Sequence, residues 1–352
     1  MRRNEEFGRQ TKLIYLIILV LVVQTATFAY LYISSNAEIA HIYSKIGTST
    51  TLGHASNTSP TQPPNSTTLL KEYLSSNATF GHRLTNISEP INASDLAIIN
   101  NAPDSYFETA GEMLLNGTIQ NQIITAPYNK SNQYPAFIIG GKPSVIYVGA
   151  ISCVFCGEGR WAMALALSRF GNFSRLYYGY SSFGDYDLPT LYWNQDNYTT
   201  SAGVGYGNYY SSKYINFISS DYESPIINGF TVQPIPFFIK NAPNSTYASA
   251  LEFMNSTGKF AGTPFTFWGT TLLDYAVGEV FGNATPTTNL PLEYETHSQV
   301  FSQLKSFNDQ FSWSEYATAD VYAAYTCGAI NNTDAFCTLP AIKSLEQRMN
   351  VT

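Results

Sequence analysis

The chain has 352 residues, of which 44% are hydrophobic, so it is long enough to bury a large core, and disorder throughout is excluded. Charged residues make up only 12% of the chain and the formal net charge is -7, which leaves no basic stripe and argues against nucleic acid as a partner. So few charges suggest the hypothesis that the protein faces an acidic exterior, where carboxylates are neutral. Stability that falls steeply below about pH 4 would contradict that hypothesis.

The N-terminal residues predict a membrane anchor. A basic segment, residues 1–12, precedes an uncharged stretch at 13–33 that is close to the roughly 20 residues a bilayer requires. Because basic flanks stay inside, we expect a single-pass cell-membrane protein with a cytoplasmic tail at 1–12 and an extracellular C-terminal domain. A cleaved signal peptide is the alternative, since Thr27-Phe28-Ala29 resembles a cleavage site. The apolar run that continues to Ile33 favours the anchor.

The segment after the anchor predicts a glycosylated exterior. Residues 34–68 are rich in Ser, Thr, Asn and Pro and predict a flexible stalk. Asn-x-Ser/Thr sequons are more frequent than composition predicts, which favours a glycoprotein, although a polar, Asn-rich surface also produces sequons incidentally. The candidate sites are Asn57, Asn65, Asn77, Asn86, Asn92, Asn116, Asn129, Asn197, Asn244, Asn255, Asn283 and Asn331, with further sequons at Asn172 and Asn350.

An accessory region is predicted at residues 69–134, with short helical patterns such as the one from Ser105 to Leu115. The core begins with strand-like residues 136–139. A Gly140-Gly141 turn then leads into a buried strand at 144–148.

The periodicity after this strand predicts a helix from Gly157 to Phe170, which Gly171 ends. Strands are predicted at 175–178 and 214–218. Between them, a Gly- and Tyr-rich loop from Ser181 to Tyr210 is too long to be a mere connector.

Cys153 and Cys156 are the most informative pair in the chain. They lie at the predicted first turn of a helix that follows a buried strand, where unpaired backbone N–H groups and the positive dipole end favour a thiolate. Cys153 can then attack a disulfide and Cys156 can resolve it. The alternative is a permanent disulfide that serves only as a staple.

Glu158 and Arg160 are possible modulators of the pair. Glu158 either assists the thiols or is a first-turn acidic residue favoured by the helix dipole, and Arg160 either stabilises a thiolate or pairs with Glu158. We expect Trp161 in the core rather than at a substrate platform. The four histidines are isolated, and Gly203–Gly207 lacks the partners of a nucleotide site, so we predict a flexible loop there and neither a cofactor nor a metal.

Cys327 and Cys337 enclose a short loop and predict a structural disulfide. Closing a loop of about ten residues stabilises the fold by roughly 2 to 3 kcal/mol. The alternative, a four-cysteine zinc site, lacks C-x-x-C spacing in its second half.

Several separated segments share one family pattern. They are residues 142–150, Cys153 with Cys156, residues 160–173, Ser181-Ser182 with Asp185, residues 214–217, residues 264–267, and the Ala-rich segment that ends in Cys327 and Cys337. Over about residues 135–340 the chain resembles the family called domain of unknown function 929. The resemblance implies an archaeal-type, membrane-anchored or exported protein with a thioredoxin-like domain.

The implied fold is α/β, with a thioredoxin-like mixed sheet flanked by helices at 135–345 and a large insertion at about 175–260, between the first core helix and a cis-proline strand. Thioredoxin-like folds place a cis-proline loop opposite the cysteines. Thr263-Pro264, before the strand-like residues 265–268, is the candidate, and Pro236 is its rival.

Two departures from thioredoxins weaken the enzymatic interpretation. Thioredoxins carry an aromatic residue before the first cysteine and a buried carboxylate six positions before it, whereas this chain has Ser152 and Tyr147. The usual proton acceptor is therefore missing.

Two functions remain. We prefer an extracytoplasmic, membrane-tethered thiol-disulfide oxidoreductase in which Cys153 and Cys156 exchange disulfides and Thr263-Pro264 presents the substrate backbone. Its partners would be the membrane, through residues 13–33, and exported cysteine-containing proteins or a membrane redox partner. The alternative is a non-catalytic, glycosylated cell-surface binding or structural protein that uses a thioredoxin-like scaffold, with Ser181–Tyr210 as its contact surface.

Overall fold

A computed structural model describes residues 89–119, 135–150, 153–181, 188–194, 204–222, 235–256, 264–274 and 295–351. All of them belong to residues 64–352, the larger of two compact units. The expected tail, anchor and stalk lie outside the described residues. Among the helices that the structure describes, none has the length and apolar character needed to cross a membrane.

The described residues form ten strands and eight α-helices. The strands are β1 (Ile138–Ile139), β2 (Lys142–Ala150), β3 (Asn172–Arg175), β4 (Tyr177–Ser181), β5 (Leu188–Tyr192), β6 (Val204–Tyr206), β7 (Tyr209–Ser211), β8 (Asn216–Tyr222), β9 (Phe265–Trp268) and β10 (Thr271–Asp274). The helices are α1 (Ala93–Asn100), α2 (Asp104–Leu115), α3 (Val154–Phe170), α4 (Ile235–Asn241), α5 (Ser245–Ser256), α6 (His297–Ser306), α7 (Gln310–Ala329) and α8 (Pro340–Met349).

A mixed sheet with the strand order β10-β9-β2-β8-β6 forms the centre of the fold. β2 runs parallel to β8 and antiparallel to β9, and both edge strands, β10 and β6, are antiparallel to their neighbours. The short β1 pairs with the start of β2 through a two-residue turn. Gly140 and Gly141 both have positive φ there, the backbone that such a hairpin turn requires and that glycine adopts without strain.

Both faces of the sheet are covered by helices. Val145 and Tyr147 of β2 lie in the larger hydrophobic cluster, together with residues of α3 and α7. Ile146 and Val148 point to the opposite face and join a second cluster with α5. A strand buried on both faces reads as a continuous apolar run, which is why the sequence predicts β2 well.

Residues 89–119, the described part of the region expected to be accessory, belong to the larger cluster. Ile99 of α1 and Phe107 of α2 are fully buried, and Phe107 packs edge-on against Tyr316 of α7 with ring centroids 4.9 Å apart. Arg169 at the end of α3 donates to the carbonyl oxygens of Ala102 and Asn100. Residues 89–119 therefore contribute directly to the core.

Two expectations about residues 175–260 are corrected. The predicted loop from Ser181 to Tyr210 contains β5, β6 and β7, and β6 includes part of the predicted flexible loop Gly203–Gly207. The predicted insertion contains β8, which is the parallel neighbour of β2 and thus central to the sheet. The strand predicted at 214–218 covers only the first part of β8, because the second half, Ser219-Ser220-Asp221, is polar although all three residues are buried.

Helix α7 is almost entirely buried and carries two buried carboxyl groups, Glu315 and Asp320. Burial raises the pKa of Glu315 to about 8 and raises the pKa of Asp320 well above its usual value. Burial likewise raises the pKa of Glu158 on α3, and the charges of Glu315 and Cys153 raise it further. These carboxyl groups are therefore protonated in the fold at mildly acidic pH.

We predict that replacing Glu315 with Gln raises the free energy of unfolding at pH 8. The unfolded chain ionises Glu315 near its ordinary pKa of 4.5, whereas the folded chain holds the proton up to about pH 8, so this group lowers stability as pH rises between these values. The contribution of the buried His297 is the same in both proteins and cancels in the comparison, so between pH 6.5 and 8 the wild type should lose about 2 kcal/mol more than E315Q.

Urea unfolding at both pH values measures this difference. Glu112→Gln, on the exposed face of α2, is the matched control and should not change the pH dependence. Equal slopes for wild type and E315Q would contradict the assignment.

Candidate functional site

Cys153 is the N-cap residue of α3. Its Sγ accepts a hydrogen bond from the backbone N–H of Cys156 at 3.3 Å, and its own N–H donates to the carbonyl oxygen of Ala150. A sulfur at this position faces the positive end of the helix dipole, which stabilises a thiolate. α3 begins at Val154, before the predicted start at Gly157, and Cys153 is therefore the N-cap residue.

Cys156 differs from Cys153 in exposure. Cys153 is partly exposed, whereas Cys156 is fully buried, and both are present as thiols. The Sγ of Cys156 accepts the backbone N–H of Ala150 at 3.4 Å. Burial, followed by the hydrogen bond and charge of Cys153, raises the pKa of Cys156 well above its usual value, while Arg160 and the Ala150 N–H oppose the shift. The two sulfurs are thus chemically unequal.

Arg160 is buried one turn after Cys156 and pairs with Asp221 of β8, not with Glu158. One terminal nitrogen, Nη2, lies 2.7 Å from Asp221 Oδ1 and also donates to the carbonyl oxygen of Ala150 at 3.2 Å. Burial alone would lower the pKa of Arg160, but the charge of Asp221 raises it, so the guanidinium remains a cation. A permanent positive charge therefore lies inside the fold beside the cysteine pair.

Asp221 also accepts a hydrogen bond from the hydroxyl of Tyr147 at 3.0 Å. Gly149 makes this contact possible, because a Cβ there would lie 1.8 Å from the Tyr147 hydroxyl oxygen and 2.7 Å from Asp221 Oδ1. Where thioredoxins carry a buried carboxylate, this chain thus has a tyrosine that contacts a carboxylate on the neighbouring strand. Sequence analysis missed Asp221, whose only signal is its place at the end of a strand.

Pro264 lies beside the end of β2. It is buried and directly precedes β9, whose first residue, Phe265, is paired with Val148. Its rival, Pro236, is exposed within α4, and Thr263 lies outside the described residues. The sheet register therefore brings Pro264, and not Pro236, to the end of the strand that leads to Cys153.

Three other residues singled out from the sequence are buried. Glu158 is 1% exposed and lies beyond the first turn of α3, so the interpretation as a first-turn acidic residue favoured by the helix dipole is wrong. Trp161 is in the core, as expected, and donates its indole N–H to the carbonyl oxygen of Pro189. His297 lies where its Nε2 contacts the carbonyl oxygens of Gly179 and Thr190, and burial lowers its pKa to about 4.

The predicted disulfide between Cys327 and Cys337 is confirmed. It joins the end of α7 to a 3-10 turn at Ala335–Thr338, just before α8, and both cysteines are fully buried. This bond therefore fixes the C-terminal helix and is separate from the Cys153 and Cys156 pair.

The sequons fall into distinct settings. Asn92 caps α1 through its Oδ1, and its Nδ2 donates to Asp95 and to the hydroxyl of Tyr178, so a glycan on Nδ2 would replace at least one of these two hydrogen bonds. Asn116 is exposed at the end of α2, and its Oδ1 accepts hydrogen bonds from Thr118. Also exposed are Asn172, Asn244, Asn255, Asn331 and Asn350. Outside the described residues lie Asn57, Asn65, Asn77, Asn86, Asn129, Asn197 and Asn283.

We predict that iodoacetamide alkylates Cys153 at least about tenfold faster than Cys156 in the folded, reduced protein at pH 7, since Cys156 is buried and its raised pKa leaves less thiolate. Peptide mass spectrometry of a time course measures both rates. Unfolding in urea serves as the control and should make the rates similar. Similar rates in the folded protein would contradict the inequality of the two thiols.

Comparison with known proteins gives one match. The family model described as Domain of unknown function (DUF929) matches residues 128–256. Searches of curated proteins and of solved structures found no significant match. The matched range contains both cysteines, Arg160 and Asp221, whereas Pro264 and the disulfide lie beyond it. In this segment, which holds most of the candidate site, the chain is similar to that family of unknown function.

Proposed function

We propose that the protein is a thiol-disulfide oxidoreductase that acts through Cys153 and Cys156. The observation that carries this proposal is the inequality of the two thiols: a partly exposed sulfur caps a helix, and a buried sulfur lies one turn behind it. A helix N-terminus favours the thiolate of Cys153 as the attacking group. Burial keeps Cys156 protonated until a mixed disulfide forms beside it.

The proposed reaction has two exchange steps. The Cys153 thiolate attacks one sulfur of a substrate disulfide, so a mixed disulfide forms and the other substrate sulfur leaves as a thiolate that takes up a proton. Cys156 then loses its proton and attacks Cys153, which forms the Cys153–Cys156 disulfide and releases the second substrate thiol. The substrate gains two electrons and the pair loses two. The same steps in reverse transfer a disulfide to a substrate.

A thioredoxin-like fold is part of this proposal. Thioredoxin-like folds have a strand, a helix and a parallel strand, followed by a helix and an antiparallel hairpin on the far side of the first strand. The order β10-β9-β2-β8, the direction of each strand, and the position of the cysteines between β2 and α3 support this assignment. Residues 172–211, which include β3 to β7, would be the addition to that fold, and β6 of this segment would extend the central sheet beside β8.

We further propose that Thr263-Pro264 presents backbone to an extended substrate. Support comes from the register that pairs Phe265 with Val148, which brings Pro264 beside the strand leading to Cys153. A residue before a proline tends to be extended, which leaves its polar groups available to a peptide strand.

The proposed location is extracytoplasmic, with a membrane tether at residues 13–33 and glycans on exposed sequons such as Asn116. The Cys327–Cys337 disulfide supports this location, because structural disulfides persist in oxidising compartments. The match over residues 128–256 supports membership of the domain of unknown function 929 family.

Turnover of a peptide disulfide tests the proposal. With glutathione as the reductant, the fragment from residue 64 onward should reduce the peptide catalytically, and Cys153→Ser should abolish turnover. Without glutathione, reduced Cys156→Ser should stop after one exchange and accumulate a mixed disulfide at Cys153. Pro264→Ala should raise KM more than it lowers kcat.

A wild-type rate no greater than that of C153S would contradict the oxidoreductase. It would favour the alternative of a non-catalytic surface protein in which the cysteines only stabilise the fold.

A further inference from the structure

The ion pair between Arg160 and Asp221 is placed where stability alone does not require it. Both side chains are fully buried, and the Nε of Arg160 donates no hydrogen bond among the described residues. Burying two charges carries a large desolvation cost, and apolar residues of similar volume often serve stability as well or better. A role in the chemistry of the site would explain this pair.

The backbone of Ala150 connects the ion pair to the resolving thiol. Its N–H donates to the Sγ of Cys156 at 3.4 Å, and its carbonyl oxygen accepts from Arg160 at 3.2 Å. Hydrogen bonds in a chain polarise one another in a low-dielectric interior. The guanidinium is also held laterally, since its carbon lies 5.8 Å from the ring centroids of both Tyr147 and Tyr192.

We propose that Arg160 is a positioning residue for the resolving step, and that it stabilises the Cys156 thiolate through its charge and through the peptide of Ala150. Asp221 fixes the guanidinium in place and partly neutralises it, so the two residues act on the thiolate with opposite sign. The inference rests on the proposed oxidoreductase function and adds two residues to it.

The step affected is the second exchange. Cys156 gives its proton to solvent, its thiolate attacks the Cys153 sulfur of the mixed disulfide, and the substrate sulfur leaves with the electron pair of the broken bond and then takes up a proton. A thiolate at the buried Cys156 is opposed by desolvation and by the hydrogen bond and charge of Cys153. The positive charge of Arg160 and the N–H of Ala150 are the groups that favour it.

A stopped-flow reaction with dithiobis-nitrobenzoate separates the two steps. The first equivalent of coloured thiol is released when Cys153 attacks the probe, and the second when Cys156 resolves the mixed disulfide. For Arg160→Met we expect the first phase to be retained, and the second to be slowed about tenfold or more at pH 7, with its pH midpoint moved up by at least about one unit. For Asp221→Asn we expect that midpoint to move down.

Opposite shifts of the pH midpoint in R160M and D221N distinguish this role from a structural one. Both variants break the same ion pair, so a purely structural role would affect both in the same direction. The double variant Arg160→Met/Asp221→Leu removes both charges, leaves neither buried alone, and should resolve more slowly than the wild type but faster than R160M, in which the opposing charge of Asp221 remains. Arg169→Met removes a cation from the far end of α3, where it pairs with Asp104, and is the matched control with an unchanged second phase.

The outcomes separate the two proposals. Slower resolution by the same factor in R160M and D221N, or wild-type resolution in the double variant, would overturn the role of Arg160 alone. A wild-type protein that never releases the second equivalent would overturn the oxidoreductase on which this role depends.

Discussion

The buried ion pair between Arg160 and Asp221 connects the elements around the cysteines. Arg160 comes from α3, Asp221 from β8, and their shared contacts reach Tyr147 and Ala150 of β2 and Ser181 of β4. Removing one partner of a buried pair costs about 3 to 5 kcal/mol, since the other charge is then left without compensation. The pair therefore fixes the polar end of β8 against β2 and holds the first turns of α3 in place, which sets the positions of both sulfurs.

A second electrostatic feature is a set of buried titratable side chains on the helices α3, α6 and α7. Glu158, Glu315 and Asp320 are buried, and each has a raised pKa, whereas the buried His297 has a lowered one. The carboxyl groups favour folding at mildly acidic pH, and His297 opposes folding once the pH falls below 6.5. The balance is consistent with the hypothesis of an acidic exterior. It also means that Glu158, whose pKa burial raises and the charge of Cys153 helps to raise, is neutral at mildly acidic pH.

The parts of the fold with a strong local signal could be predicted from the sequence. β2 is a continuous apolar run, α3 begins directly after Cys153, and the spacing of Cys327 and Cys337 fits a disulfide that the structure contains. β8 could not be fully predicted, because its buried polar residues are satisfied only by partners far away in the chain. Asp221 shows this most clearly: its partner Arg160 is 61 residues earlier, and no local pattern relates the two. For the same reason the sequence at Tyr147 showed only that the buried carboxylate of thioredoxins is missing there. The carboxylate that Tyr147 contacts, Asp221, comes from another strand.

The central claim, that the Cys153 and Cys156 pair is a redox couple and not a staple, is tested most directly by its reduction potential. Equilibration of the fragment from residue 64 onward with glutathione, followed by thiol counting by mass spectrometry, measures this quantity. The account predicts a reversible couple between about -270 and -120 mV that is absent in Cys153→Ser. A disulfide below about -300 mV, or one that glutathione cannot reach while the protein is folded, would contradict it.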